Sequence, residues 1–204
     1  MGQVNVASSG LVSPTRGKAM TILIAFGTVE GQTRKIAQFV DEQLRKAGQE
    51  TVLFDTDERT EGLAFDGVDK VILAASVHER RHPKPFEIFV ASSRQDLAER
   101  PTLLLSISLK AAFPDGREEA QDYVDEMKLR TGLTTTRELL VAGAIRSDSY
   151  DFYASQVLHH VVLSDQTFDP SARDYEFTDW DELGSCVADF LLNDAAGLHD
   201  ETAT

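Results

Sequence analysis

The stretch TILIAFGTVEGQTRKIAQFV, residues 21–40, joins an apolar run, a polar loop and an amphipathic segment without interruption. The apolar run at 21–26 has the composition of a buried strand, and the loop at 27–33 follows it directly. Apolar residues then recur at helical spacing, at Ile36, Phe39, Val40 and Leu44. Gly48 follows as a helix stop. The stretch therefore predicts a strand–loop–helix unit whose loop lies at the carboxyl end of the strand.

Apolar runs of the same kind recur along the chain and alternate with helical patterns. Near-continuous runs cover residues 70–76, 102–108 and 138–145, whereas the run at 50–56 alternates in polarity and is expected at a sheet edge. Two further sets of apolar residues have helical spacing: Phe86, Phe89, Val90 and Leu97, and Trp180, Leu183, Val187, Phe190 and Leu191. The pattern predicts an α/β fold, a doubly wound parallel sheet of five strands with right-handed crossovers.

Composition limits the class of protein. The chain has 204 residues, 42% of them hydrophobic, which is enough for one substantial core. The net charge of −14 makes nucleic acid an unexpected partner, because nucleic-acid binding relies on clustered Lys and Arg. Residues 165–204 carry eleven acidic residues and one basic residue. This acidic stretch is either a solvated face or a docking surface for a basic partner.

Cysteine content and the apolar run lengths indicate the compartment. Cys186, the single cysteine, lies on the apolar stripe of the last helical pattern, so we expect a buried, inert thiol. One thiol cannot form an internal disulfide, which favours a reducing cytoplasm. No apolar run approaches the roughly 18 residues that a membrane span needs. A cytoplasmic protein is therefore expected.

The ends of the chain and one internal stretch depart from the alternating pattern. Residues 1–19 are rich in small residues and are expected to be a disordered N-terminal extension, and residues 196–204 a flexible tail. The domain is expected to cover residues 20–195. Within it, residues 146–177 form a predicted insert before the last helix, which Thr178 is expected to cap.

The loop at 27–33 has features of an anion site. The start of a helix offers unsatisfied N–H groups and a partial positive charge, and Gly31 lets the backbone approach a ligand closely. Thr28 and Thr33 can add hydroxyl donors, whereas Glu30 must point to solvent if a phosphate binds. On the loop alone, a capped strand-to-helix turn without a ligand is an equal alternative.

The loop motif then extends to a resemblance over nearly the whole chain. TVEGQT has the pattern T-x-x-G-x-T of the flavodoxin phosphate loop, which holds the phosphate of FMN. Further segments match in order and spacing: FGTVEGQTRKIA, VILAASVHERRHPKPFEIFV, LLSISL, VAGAIRSDSYDFY and FTDW. Over about residues 20–191 the chain resembles the flavodoxin-like, menaquinone-dependent protoporphyrinogen dehydrogenases of bacterial haem synthesis. The resemblance implies a flavodoxin-like sheet with strand order 2-1-3-4-5 and a bound FMN.

The resemblance also implies positions for the cofactor-binding residues. The phosphate would be wrapped by Thr28, Val29, Glu30, Gly31, Gln32 and Thr33. The loop after the third strand would pass along the flavin ring with Ser76, Val77, His78, Glu79 and Arg80. The loop after the fourth strand would face the other flavin edge with Ser108, Leu109 and Lys110. His78 or His82 is available to stack on the ring, and Arg80 or Arg81 beside it would tune the reduction potential.

A porphyrinogen substrate also needs an apolar surface and an anion contact. Tyr150, Phe152 and Tyr153 follow the end of the fifth strand and are the predicted aromatic surface, with Arg146 as a partner for a propionate. Alternatively, these aromatic residues pack the insert onto the domain, and Arg146 is a surface residue. No metal-ligand spacing such as HExxH and no GxSxG motif occurs, so neither a metal site nor hydrolase chemistry is expected.

The sequence is compatible with three functions. The first is an FMN-dependent oxidoreductase of the protoporphyrinogen-dehydrogenase type, which passes electrons to a quinone or another acceptor and contacts the inner membrane face peripherally. The second is an electron-transfer flavodoxin whose acidic face docks a redox partner. The third is a flavodoxin-like interaction protein that has lost FMN. This alternative is based on the charged residues Glu30 and Arg80 at the expected FMN site.

Overall fold

A computed structural model of the protein describes residues 19–58, 63–146 and 174–193. Five parallel strands form the central sheet: β1 (Thr21–Gly27), β2 (Glu50–Asp55), β3 (Lys70–Ser76), β4 (Thr102–Ser108) and β5 (Arg137–Ala142). The described helices are α1 (Gln32–Lys46), α2 (Lys84–Ser92), α3 (Arg94–Ala98), α4 (Arg117–Thr131) and α5 (Trp180–Leu192). The strand order is β2-β1-β3-β4-β5, which confirms the predicted doubly wound sheet.

Two hydrophobic cores lie on the two faces of the sheet. Alternate residues of β1 point to opposite faces, so that Ile22 and Ile24 pack with α1 and α5, and Leu23 packs with α2 and α4. All three side chains have no exposed surface. Burying a side chain of this size stabilises the fold by about 1.5–3 kcal/mol. Burial on both faces explains why the central strands read as near-continuous apolar runs.

The edge position of the alternating run at 50–56 is also confirmed. Among the described strands β2 pairs with β1 alone, and its residues from Glu50 onward alternate between exposed and partly buried until Phe54. The helix before it ends as predicted, because Gly48 has a φ of 81° and its N–H donates to the carbonyl of Arg45.

The fifth apolar run is not a single strand, which corrects the prediction of one strand over 138–145. The chain leaves the sheet at Gly143, whose N–H donates to the carbonyl of Ser108. Beyond that break, β6 (Ala144–Arg146) pairs in an antiparallel ladder with β7 (Asp174–Glu176). The predicted insert therefore begins and ends in a small two-stranded sheet. Residues 147–173 of the insert, like residues 1–18 and 194–204, lie outside the described residues.

The helices differ from the prediction in two places. The apolar pattern from Phe86 to Leu97 belongs to two helices, α2 and α3, which are separated at Ser93. No helix was predicted between the fourth and fifth strands, where α4 occupies fifteen residues. α4 buries a narrow stripe that includes Tyr123 and Met127 and exposes a largely charged remainder. A stripe this narrow gives a weak periodic signal.

The start of the last helix corrects a capping assignment. Asp179, not Thr178, is the N-cap of α5, because its carboxylate accepts hydrogen bonds from the N–H groups of Asp181 and Glu182. The other end of α5 is satisfied by the buried Lys70, whose Nζ donates to the carbonyls of Phe190, Leu191 and Asn193 at 3.0–3.1 Å. A cation at a helix C-terminus also complements the helix dipole.

Candidate functional site

A cleft lies at the carboxyl ends of β1, β3 and β4, where the predicted ligand loops converge. Its lining comprises Thr28, Val29, Glu30, Gln32, Thr33, Ser76, Val77, His78, Ile107, Ser108, Leu109, Gly143 and Ala144. The enclosed volume is about 80 Å³. That volume is below the roughly 300–1,000 Å³ of sites that enclose whole small molecules, so the described residues surround one anionic group, and the remainder of a larger ligand would lie along the open loops.

The first loop has the backbone of an anion cradle. Gly31 has a φ of 86°, a conformation that side-chain-bearing residues rarely adopt, and its N–H donates to the hydroxyl of Thr28 at 2.9 Å. α1 begins at the next residue, so its first N–H groups open at the cleft. Val29 is 55% exposed at the loop tip, and both Val29 and Glu30 line the cleft. Glu30 is half-buried there, so its carboxylate would have to turn to solvent when a phosphate binds.

Two buried hydroxyls in this lining have no hydrogen-bond partner among the described residues. They are Oγ1 of Thr33, in a residue with no exposed surface, and Oγ of Ser76 at the end of β3. A buried hydroxyl without a hydrogen-bond partner lowers stability by about 1–3 kcal/mol, so such groups in native proteins usually have a partner. A phosphate oxygen would satisfy the hydroxyl of Thr33, and the residues present therefore fit the phosphate of a bound nucleotide.

The loop after β3 is a tight turn that separates two of its predicted ligand residues from the cleft. His78 and Arg81 exchange two backbone hydrogen bonds of 2.9 Å, and Glu79 and Arg80 have φ values of 48° and 66°. His78 lines the cleft, whereas Glu79 and Arg80 do not.

The side chain of Arg80 is directed to α4. Its Nη1 lies 2.5 Å from Oε1 of Glu119, and its guanidinium lies 5.2 Å from the ring centroid of Tyr123. Lys110, a predicted flavin contact in the loop after β4, pairs with the same carboxylate at 2.7 Å. The hydrogen bond from Lys110, followed by that from Tyr123, lowers the pKa of Glu119. Glu119 thus holds two predicted ligand residues away from the cleft lining.

Glu119 was not among the predicted site residues, because no helix was predicted between the fourth and fifth strands. The spacing of Glu119 and Tyr123, four residues apart in a charged segment, was the available signal. Gly143 and Ala144 were also missed as lining residues, because the whole run at 138–145 was assigned to one strand.

Hydrogen bonds connect the cleft residue Gln32 with the segments next to the small β6–β7 sheet. Nε2 of Gln32 donates to the hydroxyl of Thr178 at 3.0 Å, and this hydroxyl donates to the carbonyl of Ala142 at 2.8 Å. Lys35 pairs with Glu176 at 2.5 Å and lies 5.0 Å from the ring centroid of Trp180. The stem of the predicted insert is therefore attached to the first turns of α1.

Of the predicted substrate residues, Arg146 has a described backbone, which pairs with Asp174 at the end of β6. Tyr150, Phe152 and Tyr153 lie outside the described residues.

His82, named as a stacking alternative, does not line the cleft. It is 3% exposed, and its Nε2 lies 3.1 Å from the hydroxyl of Ser106. Burial lowers the pKa of His82 to about 4. Cys186 is buried as predicted, and burial raises its pKa.

Within residues 19–58, 63–146 and 174–193, no group of three or more His, Cys, Asp and Glu side chains could hold a metal ion. No helix in the same part of the chain is long and apolar enough to cross a membrane.

Comparisons with known proteins agree with this architecture. A sequence model of the flavodoxin domain matches residues 23–170. The chain is similar to protoporphyrinogen IX dehydrogenase (quinone) of Escherichia coli strain K12, with 24% identity over 167 residues that cover 81% of this chain and 92% of that protein. Among solved structures, it is similar to oxidised flavodoxin 1 from Bacillus cereus, with a TM-score of 0.51, 16% identity and coverage of 84% of this chain and 97% of that one. The structural match supports the parallel sheet of order 2-1-3-4-5.

Proposed function

The chain belongs to the flavodoxin family, and on that premise we propose that it is an FMN-dependent oxidoreductase of the protoporphyrinogen-dehydrogenase type. The enzyme would pass electrons from its substrate to a quinone. The observation that carries the proposal is the cleft at the ends of β1, β3 and β4, with its unpartnered buried hydroxyls on Thr33 and Ser76.

The cofactor assignment rests on the donors that the cleft offers. The phosphate of FMN would accept hydrogen bonds from the hydroxyl of Thr33 and from the N–H groups at the start of α1. The loops containing Ser76–His78 and Ser108–Leu109 would border the flavin. When bound, FMN supplies the capacity to take up and release electrons, while the protein binds and orients it. Glu79, Arg80 and Lys110 remain predicted flavin contacts, although their side chains lie outside the cleft lining.

The substrate assignment rests on the similarity to the Escherichia coli enzyme and on the position of β6. β6 leaves the cleft at Ala144 and leads into the segment with Tyr150, Phe152 and Tyr153. These aromatic residues are our candidates for the apolar surface that a porphyrinogen needs. Arg146 is the candidate partner of a substrate carboxylate. The hydrogen removed from the substrate would leave as protons and as electrons that reduce the quinone.

We place the enzyme in the cytoplasm, at the inner face of the membrane where a quinone acceptor is available. The acidic composition argues for a transient contact, because anionic membranes attract Lys and Arg. The predicted domain limits of 20–195, with residues 1–19 and 196–204 as extensions, belong to the same proposal.

The test has two stages. First, FMN is titrated into the apoprotein, and binding is followed by quenching of flavin fluorescence. Second, the FMN-loaded protein is given protoporphyrinogen IX and a quinone without oxygen, and the fluorescence of protoporphyrin IX is recorded. We expect saturable FMN binding and quinone-dependent formation of protoporphyrin. An apoprotein that does not bind FMN would overturn the proposal, and tight FMN binding without porphyrin oxidation would overturn its substrate assignment.

A matched pair of variants tests the role of Arg146. Arg146→Gln should raise the KM for protoporphyrinogen and leave FMN affinity unchanged, because the interaction concerns a substrate carboxylate. Arg117→Gln removes the same charge from an exposed residue at the start of α4 and should change neither quantity. An equal effect of the two substitutions would contradict a specific role for Arg146.

A second candidate function follows from the net charge of −14. An electron-transfer flavodoxin would dock a basic redox protein through its acidic face and would have no substrate of its own. Steered docking of this kind weakens steeply as ionic strength rises, whereas oxidation of an apolar substrate does not. The salt dependence of flavin reduction by each donor therefore distinguishes the two functions.

A further inference from the structure

A second cavity lies between α2 and α4, and its lining shares no residue with the cleft. It is an open groove of about 420 Å³ and is larger than the cleft, whose enclosed volume is about 80 Å³. A volume of this size lies within the roughly 300–1,000 Å³ of known small-molecule sites. The turn from His78 to Arg81 separates the two cavities, because His78 lines the cleft and Arg81 lines the groove.

The groove carries an excess of positive charge on an acidic protein. Three cationic residues, Arg81, Lys84 and Arg130, line it together with one carboxylate, that of Glu87. Glu87 engages Arg130 at 2.8 Å and Arg81 at 3.5 Å. This arrangement leaves more cationic groups than carboxylates in the lining. Arg130 is also paired with Glu126 at 3.4 Å, so the local excess of positive charge, which favours an anion on a protein of net charge −14, comes from Lys84 and Arg81.

Lys84 is the least expected of these cations. It is exposed at the first position of α2, where the helix dipole disfavours positive charge. Across the described ranges it has no salt-bridge or hydrogen-bond partner. A cation in this position is not explained by the stability of the helix, and it leaves a free ammonium group at the groove.

The wall beside these charges is apolar. Ile88 is 57% exposed and lines the groove together with Ala91. His82 belongs to the same lining, is 3% exposed and is neutral at pH 7, because burial lowers its pKa to about 4. Nδ1 of His82 has no hydrogen-bond partner in the part of the chain that the structure describes. The groove thus combines cationic groups, an exposed apolar wall and an unsatisfied buried polar atom.

We propose that this groove is a second binding site, which takes an organic carboxylate with an apolar body. The carboxylate is held by Lys84 and Arg81, and the apolar body lies against Ile88 and Ala91. The apolar wall favours such a ligand over inorganic phosphate, which has the charge without the body. The site is distinct from the cleft, since no lining residue is shared.

The test uses octanoate as a probe and methyl NMR as the readout. The Ile88 methyl reports on the groove, and the Ile107 methyl reports on the cleft. We expect saturable shifts at Ile88 with millimolar octanoate, in apoprotein and FMN-loaded protein alike, while Ile107 stays in place. Octanol and inorganic phosphate should each bind more weakly than octanoate. Unshifted Ile88, or equal binding of octanol and octanoate, would overturn the proposal.

Two variants of matched position test the charge. Lys84→Gln should weaken octanoate binding by about twofold to fivefold, the effect of one exposed charge contact. Arg117→Gln removes a cation from the first position of α4, outside the groove, and should leave the affinity unchanged. Equal weakening in both variants would show general attraction to the protein and would overturn a specific role for Lys84. Because the NMR readout does not require bound flavin, a failure here is distinguishable from a failure of the proposed enzyme function.

Discussion

Replacing Thr33 with Val should change FMN affinity and protein stability in opposite directions. The Thr33 side chain is buried in the first turn of α1, and its hydroxyl has no hydrogen-bond partner among the residues described. Valine has the same branched shape without the hydroxyl. The substitution therefore removes a phosphate donor from the loaded protein and an unsatisfied group from the apoprotein.

The sizes of both effects follow from the energetics of hydrogen bonds. A hydrogen bond to a charged group contributes about 1.5–3 kcal/mol, so FMN affinity should fall by about 10- to 150-fold. An unsatisfied buried hydroxyl costs about 1–3 kcal/mol, so the unfolding free energy of the apoprotein should rise by about 1 kcal/mol or more. A hydroxyl with a purely structural role would lower stability when removed, which is the opposite sign.

The assay combines a fluorescence titration with FMN and urea unfolding of the apoprotein. Thr102→Val is the matched control, because Thr102 is buried at the amino end of β4, away from the cleft, and its hydroxyl donates to the carbonyl of Arg100 at 3.1 Å. The control should lose stability and keep its FMN affinity. Unchanged FMN affinity in Thr33→Val, or a stability loss equal to that of the control, would refute the assigned role of Thr33.

Three further substitutions test a buried histidine, the C-terminal end of α5 and the hydrogen bonds beside the cleft. The pKa of His82 is about 4 in the folded protein against 6.5 for an ordinary histidine, so the unfolded chain takes up a proton first as pH falls. The unfolding free energy of the wild type should therefore fall by up to about 3 kcal/mol between pH 6.5 and pH 4, and His82→Gln should abolish this fall. Urea unfolding at a series of pH values measures both proteins, and an equal pH dependence of their unfolding free energies would contradict the assignment. Lys70→Met should lower the unfolding free energy by at least about 2 kcal/mol, because the last carbonyls of α5 lose a charged donor. An unchanged thermal transition would be incompatible with this capping. Thr178→Val should cost about 1–3 kcal/mol, since Gln32 and Ala142 both lose a partner, and should weaken FMN binding less than Thr33→Val does. A larger loss of FMN affinity than in Thr33→Val would contradict the order of the two effects.

The sheet could be predicted from the sequence because its information is local. β1, β3 and β4 are covered on both faces, so nearly every residue in them must be apolar, and each run is visible without knowledge of the rest of the chain. The first loop is equally local. Gly31 and Thr33 belong to one contiguous motif, and the start of α1 follows it directly. The flavodoxin-like order of the strands came from the resemblance of several such segments, and the structure confirms it.

Other features depend on contacts between segments that are distant in sequence. The run at 138–145 is apolar throughout, and it ends at Gly143 because Ala144 pairs with Glu176 instead of with β4. Arg80 follows β3 in sequence, yet its guanidinium pairs with the carboxylate of Glu119, which lies on α4. Local composition cannot specify which distant group a charged side chain will meet.

The groove shows the same division most clearly. Arg81 and Lys84 are close in sequence and are ordinary surface residues when read as a string. They become part of a cationic groove because α2 packs beside α4, which brings Arg130 opposite them. The apolar periodicity that builds the core thus encodes the fold within short segments. The charge balance of a surface site arises when separate segments pack together, because electrostatic attraction depends on distance in space rather than along the chain.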